Sequence, residues 1–281
     1  MPELPEVETV RRGLSPAMQG EVIERVTLNR KNLRFPFPEK FVERLEGARV
    51  QNVGRRAKFL VLTLDTGETL VMHLGMSGRF LLAGAGFDGF THDNGVKIDH
   101  NHVVMRMKNN VNITYNDPRR FGFMELYPTD KLEDTPRFVH LGPEPNGNAF
   151  SGAYLAVALG GKKTPIKSAL LDQSIVAGLG NIYVCEALYR SGLSPRRSAH
   201  SIKGKRAERL AGHVREVINE AIEAGGSSIS DYAKTDGSLG YFQHSFAVYG
   251  REGKACNACG EPIRRIVQSV RSSFYCGKCQ R

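Results

Sequence analysis

Two clusters of residues at opposite ends of the chain carry types and spacings that do chemistry. Near the C-terminus, Cys256-x2-Cys259 and Cys276-x2-Cys279 are separated by 16 residues. Each Cys-x-x-Cys sets two sulfurs on one tight knuckle, and two knuckles complete a tetrahedron. Four thiolates with no open position suit one structural Zn2+, which is redox-inert and takes no part in catalysis. An iron-loaded or redox use of the same spacing stays open. Between the knuckles lie Arg264, Arg265 and Arg271. A hairpin carrying arginines can enter a groove or clamp phosphates, and it can equally be a solvated basic hairpin. At the other end, Pro2 offers a secondary amine once Met1 is removed. An α-amine titrates at about 7.7–8.0, and the start of a helix behind it favours the neutral, nucleophilic form. The same proline also suits processing and helix initiation, so alone it does not declare an enzyme. A third pattern, Gly178-Leu179-Gly180-Asn181, leads into a helix. Glycines let backbone amides approach a phosphate there, although a Gly-x-Gly by itself is weak.

The elements that must position these residues divide the 281-residue chain into an α+β multidomain protein. Residues 1–133 read as strands behind one N-terminal helix. Val7, Val10 and Leu14 recur at helical spacing, and Pro5, Glu6 and Glu8 suit a first turn. Phe59–Leu64 and Thr69–Met72 flank the turn signal Asp65-Thr66-Gly67. Val103–Met107 and Val111–Tyr115 form a second expected hairpin. Residues 134–152, rich in Pro, Gly and Asn, read as a linker. Residues 153–245 turn helical, with apolar stripes through Ile166/Leu170, Ile182/Leu188 and Leu210–Ile222, followed by a long loop over 225–250. Residues 246–281 hold the four-cysteine finger. Cys185 falls on the apolar side of a helix and reads as a buried structural thiol. Arg55 and Arg56 read as a solvated charge run, and Glu8 as a solvated first-turn residue.

The formal net charge is +10, and half of it sits in the last 31 residues, where seven Lys/Arg face two Glu. Such a balance favours a polyanionic partner. No apolar run reaches the length of a membrane span, and the acidic start, Met1-Pro2-Glu3-Leu4-Pro5-Glu6, lacks signal-peptide character. An intracellular chain is expected, and in that compartment metal binding suits the four cysteines better than disulfides.

Five motifs run in order from residue 2 to residue 280. They are Pro2-Glu3-Leu4-Pro5-Glu6-Val7-Glu8, His73-Leu74-Gly75-Met76-Ser77-Gly78, Asp117-Pro118-Arg119-Arg120-Phe121-Gly122, Gly178-Leu179-Gly180-Asn181-Ile182-Tyr183 and the terminal finger. Together they resemble the bacterial formamidopyrimidine-DNA glycosylase family, and the resemblance covers essentially the whole chain. It implies an N-terminal β-sandwich with an N-terminal helix, a helix–two-turn–helix domain and a four-cysteine zinc finger built on a β-hairpin. It also implies a bifunctional glycosylase and AP lyase of base excision repair. Such an enzyme removes oxidised purines through an N-terminal proline Schiff base and cleaves the strand by β,δ-elimination. Asn146, a variable loop over 84–99 and the terminal Arg281 depart from the family pattern, and none of them touches the chemistry.

Residue by residue, the resemblance makes Pro2 the nucleophile, Glu3 the general acid–base group and Glu6 a supporting carboxylate. Lys58 becomes the proton donor in β-elimination and Arg271 the finger arginine of δ-elimination. His100, Arg119, Lys162, Lys167 and Asn181 match DNA-contacting positions, and Met76, Arg119 and Phe121 match a void-filling set. That set is needed because a base inside a duplex must be flipped out before it is reached. Residues 225–241 match a loop that covers the everted base. The implied partner is double-stranded DNA with oxidised purines or abasic sites, in the bacterial cytoplasm; with no sign of oligomerisation and no membrane span in the sequence, a monomer without membrane association is expected. Two alternatives remain at this level. An endonuclease VIII-type enzyme for oxidised pyrimidines usually begins Pro-Glu-Gly-Pro, whereas this chain has Leu4. A non-catalytic zinc-ribbon DNA-binding protein would form no imine.

Overall fold

The computed structural model describes residues 1–84, 86, 97–227 and 240–281. Most of the stretch over 84–99, and residues 228–239 of the loop expected to cover a base, lie outside the described residues. The chain folds as two compact units, residues 1–139 with 224–241, and residues 140–223 with 242–281.

The first unit begins with helix α1 (Leu4–Met18), whose first turn holds Pro5 and whose Leu4, Val7, Val10 and Leu14 are all buried. Strand β1 (Ile23–Leu28) and helix α2 (Phe41–Leu45) follow, then β2 (Val50–Arg56), β3 (Phe59–Leu64), β4 (Glu68–His73), β5 (Arg79–Gly84), β6 (Asn101–Met107), β7 (Val111–Asn116) and β8 (Phe123–Pro128). These strands form two antiparallel four-stranded sheets, ordered β1-β6-β7-β5 and β2-β3-β4-β8. Alternate residues of both sheets, together with α1 and α2, share one apolar core. That is the β-sandwich arrangement, in which two inward faces interdigitate. Both expected hairpins form, as β3–β4 and β6–β7.

Register matters more than strand count for the site. Phe59 pairs with His73, and His73 with Phe123. The residues just beyond that row, Lys58, Met76 and Phe121, therefore leave the β2-β3-β4-β8 sheet at the same end. In the other sheet Arg79 and Asn101 both pair with Asn116, which brings Ser77, His100 and Asp117 to a common end.

The second unit carries α3 (Gly152–Ala158), α4 (Ile166–Leu170), α5 (Asn181–Arg190) and α6 (Lys205–Glu223), then the hairpin β9 (Ile263–Gln268) and β10 (Arg271–Cys276). The stretch expected as a linker is partly folded into this unit. Phe150 is fully buried, and Gly142 N–H donates to the Gln173 carbonyl at 2.9 Å. Short apolar islands in a Pro/Gly-rich stretch give no periodic signal, which is why composition alone reads it as linker. Cys185 is buried, beside Cys256, Ile263 and Cys276.

Candidate functional site

The N-terminus is fixed by its own helix. Pro2 is buried, Glu3 is 4% exposed and Glu6 is 2% exposed. The Glu3 N–H donates to Glu6 Oε2 at 2.8 Å, half of a capping box in which a carboxylate satisfies an amide at the helix start. The other Glu6 oxygen, Oε1, accepts from the Ser227 N–H at 2.9 Å and from the Ser227 hydroxyl at 3.0 Å. One buried carboxylate therefore joins the N-terminal residues to the last described residue before segment 228–239.

Lys58 sits at the tight β2–β3 turn, where its neighbour Ala57 has φ +53. A non-glycine residue in the left-handed region costs roughly 1–3 kcal/mol and persists only where its surroundings over-determine it. Lys58 itself is 8% exposed, so the turn delivers an ammonium into the interior. His73 lies next to it in the register, stacked on Phe123 with centroids 5.2 Å apart and tilted against Phe59. Burial first, then the positive charges of Lys58, Arg34, Arg137 and the N-terminal amine, push its imidazole down to about 4. His73 is thus neutral near pH 7, and its Nδ1 accepts the Gly75 N–H at 3.0 Å.

Glu8 and Arg55 differ from the expectation of solvated surface. Glu8 bonds Arg11, Arg12 and Arg55, and the Arg55 side chain is only 7% exposed, also donating to the Ala57 carbonyl at 3.0 Å. Burial raises the Glu8 carboxyl, but the guanidinium groups of Arg11 and Arg55 outweigh it and hold it below the usual carboxylate range. A run of arginines says nothing about a carboxylate 47 residues earlier, so this network was invisible in sequence.

Met76, Arg119 and Phe121, expected to fill a void, lie on two loops that touch. Met76 and Phe121 are both exposed, at 37% and 43%, whereas most large apolar side chains among the described residues are buried. The Arg119 guanidinium lies 4.9 Å from the Phe121 ring centroid. Gly75, at φ +63, has the Phe121 and Gly122 backbone where a Cβ would stand, so only glycine lets the loops touch. His100 ends a short turn, and its carbonyl accepts the Asp117 N–H at 3.0 Å.

In the second unit, Lys162 and Arg271 are exposed. Lys167 lies elsewhere than at a surface. It is fully buried, and its ammonium donates to the Ser272 carbonyl at 3.0 Å, as does Asn181 Nδ2. These side chains hold the hairpin one residue from Arg271. The hairpin tip before Arg271 places Ser269 and Val270 at φ +47 and +57. The four cysteine sulfurs lie within 4.8 Å of one another. Cys256–Cys279 is 3.9 Å and Cys259–Cys276 is 3.5 Å. A tetrahedron with Zn–S bonds near 2.3 Å has edges of about 3.8 Å, so the sulfurs fit a structural metal centre.

The comparisons with known proteins agree along the chain. The formamidopyrimidine-DNA glycosylase N-terminal domain matches residues 1–124, the corresponding H2TH domain matches 141–233, and a zinc finger found in FPG and IleRS matches 253–281. The formamidopyrimidine-DNA glycosylase of Ruegeria pomeroyi is 56% identical over 283 residues, covering 100% of both chains. That of Brucella ovis is 54% identical over 292 residues, again covering 100% of both. Among solved structures, MutM (FPG) from Thermus thermophilus superposes with a TM-score of 0.85 at 40% identity, covering 99% of this chain and 98% of that one. The Lactococcus lactis Fpg complex with abasic-site DNA gives 0.86 at 32% identity, covering 99% of each.

Proposed function

From membership of the formamidopyrimidine-DNA glycosylase family, to which this chain belongs, we infer that this DNA-repair enzyme removes oxidised purines, 8-oxoguanine and formamidopyrimidines, through an imine on Pro2. The observation that carries the reading is the buried start of the chain, where Pro2 is buried, the Glu3 N–H is held by Glu6 and Lys58 is 8% exposed. Removal of Met1 frees the secondary amine. Its nitrogen attacks C1′ as the C1′–N bond to the base breaks, its N–H proton passing to the departing base, and Glu3 delivers a proton to the ring oxygen, so that the sugar opens to an iminium. Glu3, left as a carboxylate, takes the C2′ proton as the 3′ C–O bond breaks, and a second elimination, assisted by Arg271, breaks the 5′ C–O bond. Lys58 supplies the proton for the departing group of the first elimination. Neutral His73 beside it adds no competing cation.

Lys162, Asn181, His100 and Arg119 are assigned to DNA, and Met76, Arg119 and Phe121 to the space left by the everted base. Lys167 supports phosphate binding through the hairpin backbone it holds. The metal of the finger is read as one Zn2+ on Cys256, Cys259, Cys276 and Cys279, which when bound supplies folding energy to a ribbon with little core. The enzyme is read as a monomer of the bacterial cytoplasm. Among the described residues no helix is long and apolar enough to cross a membrane.

The test is covalent trapping. Borohydride should link the processed enzyme to lesion-containing duplex, because hydride reduces the iminium to a stable amine. A chain retaining Met1, in which the Pro2 nitrogen is tied up as an amide, should lose trapping while still binding duplex. Undiminished trapping on a chain shown by mass spectrometry to keep Met1 would remove Pro2 from the mechanism.

A further inference from the structure

The loop bearing Met76 and the loop bearing Arg119 and Phe121 converge on a group that none of the roles above uses. Asp117 is fully buried, and both of its oxygens are occupied. Oδ1 accepts the Ser77 hydroxyl at 2.6 Å, and Oδ2 accepts the Gly122 N–H at 2.9 Å and the Tyr115 hydroxyl at 3.2 Å. Ser77, 3% exposed, accepts in turn the Arg119 N–H at 3.2 Å. One carboxylate therefore grips the residue after Met76 and the residue after Phe121. Through Ser77 it also holds the backbone of Arg119.

The surroundings make this arrangement hard to rearrange. Tyr115, 1% exposed, reaches to the carboxylate through the space where a Cβ at Gly122 would stand, so the loop passes there only as glycine. Burial first, then the neighbouring Asp117 charge, raises the Tyr115 phenol well above its ordinary range, which keeps its proton in place as a donor. A charge-assisted bond to a buried carboxylate is stronger than a neutral one, and breaking one partner leaves the rest of the network unsatisfied. The side chains of Met76, Arg119 and Phe121 are exposed. Their backbone is restrained from below.

We propose that Asp117, acting through Ser77 and the Gly122 amide, is the positioning residue that pre-sets Met76, Arg119 and Phe121 for insertion into the duplex. The proposal rests on the void-filling reading of those three residues. A wedge must arrive already shaped, since any ordering done on the DNA is subtracted from the free energy available to extrude the base.

The experiment compares Asp117→Asn and Ser77→Ala with Phe121→Ala and the parent enzyme. Single-turnover excision of an oxidised purine from duplex is measured beside cleavage of a pre-formed abasic site, where no base is extruded. Amide hydrogen exchange at Arg119 and Gly122 is measured in the free proteins, independently of any DNA reading. Asp117→Asn replaces one of the two acceptor oxygens by an amide nitrogen, which cannot accept. It should speed exchange at Gly122 and slow excision roughly ten-fold or more, with far less effect on abasic-site cleavage. Ser77→Ala should speed exchange at Arg119 and shift the same ratio. Faster exchange with an unshifted ratio, while Phe121→Ala does shift it, would overturn the positioning role. Equal slowing of both substrates would do the same by making Asp117 a general support of the sandwich. If Phe121→Ala leaves the ratio unshifted as well, the void-filling reading itself fails and takes the proposal with it.

Discussion

His73 shows how a residue that looks ordinary in sequence is tuned by its place. It closes β4, stacks on Phe123 and faces the charges of Lys58, Arg34, Arg137 and the N-terminal amine. Its folded-state pKa of about 4 lies below the ordinary 6.5. As pH falls from 6.5 towards 4, the unfolded chain therefore takes up a proton that the folded chain refuses, and stability declines across that window. The total is on the order of 3 kcal/mol at 1.36 kcal/mol per pKa unit. His73→Gln should show a shallower loss of urea midpoint between pH 6.5 and 4 than the parent. Parallel curves would mean that the burial of His73 is not coupled to folding. The same interior sets the Lys58 environment, and a protonated imidazole beside it would compete for any phosphate or carboxylate partner.

Helix α5 is the element on which the second unit turns. Its first residue, Asn181, holds the Ser272 carbonyl of β10. Further along, the buried Glu186 carboxylate accepts three backbone N–H groups, from Ala247 at 2.9 Å, Val248 at 3.0 Å and Tyr249 at 2.8 Å. Near its end the Tyr189 hydroxyl lies 3.3 Å from Cys256 Sγ. One helix thus ties the turn at its N-terminus to the finger. Three amides converging on one carboxylate leave no room for a neutral amide in its place. Glu186→Gln should cost about 1–3 kcal/mol by leaving a buried donor unsatisfied. It should also quicken metal loss to a chelator, because the segment entering Cys256 loosens. Unchanged unfolding and unchanged chelation would show that the 247–249 segment is held by its apolar contacts instead.

At the scale of the whole molecule, the proposed function divides affinity and chemistry between different residues. Cys276→Ser should lose bound metal and DNA affinity together, read by metal analysis and gel shift, because the ribbon that presents Arg271 has little core without it. Full affinity in the metal-free variant would exclude the finger from the DNA surface. Lys162→Ala removes one exposed cation without touching the buried N-terminus. It should weaken lesion-bearing and undamaged duplex about equally and flatten the log–log salt dependence by roughly one unit. A loss confined to lesion DNA would move Lys162 from the backbone to the base.

Much of this architecture is legible in one dimension. The helical spacing of Val7, Val10 and Leu14, the alternation and turn signals of the hairpins, and the Cys-x-x-Cys pairs are all local patterns, and local patterns survive in a string of residues. The motif order carried the family for the same reason. Tertiary structure decided what depends on residues far apart in sequence. Strand register carries Lys58, Met76 and Phe121 to one end of a sheet. Arg55 turns inward to Glu8, and Ser227 closes on Glu6. Lys167, which the resemblance makes a DNA contact, is buried on the Ser272 carbonyl, and Asp117 becomes the joint between two loops. A charge's partner in the interior is set by packing, and packing is not written in the spacing of any single segment.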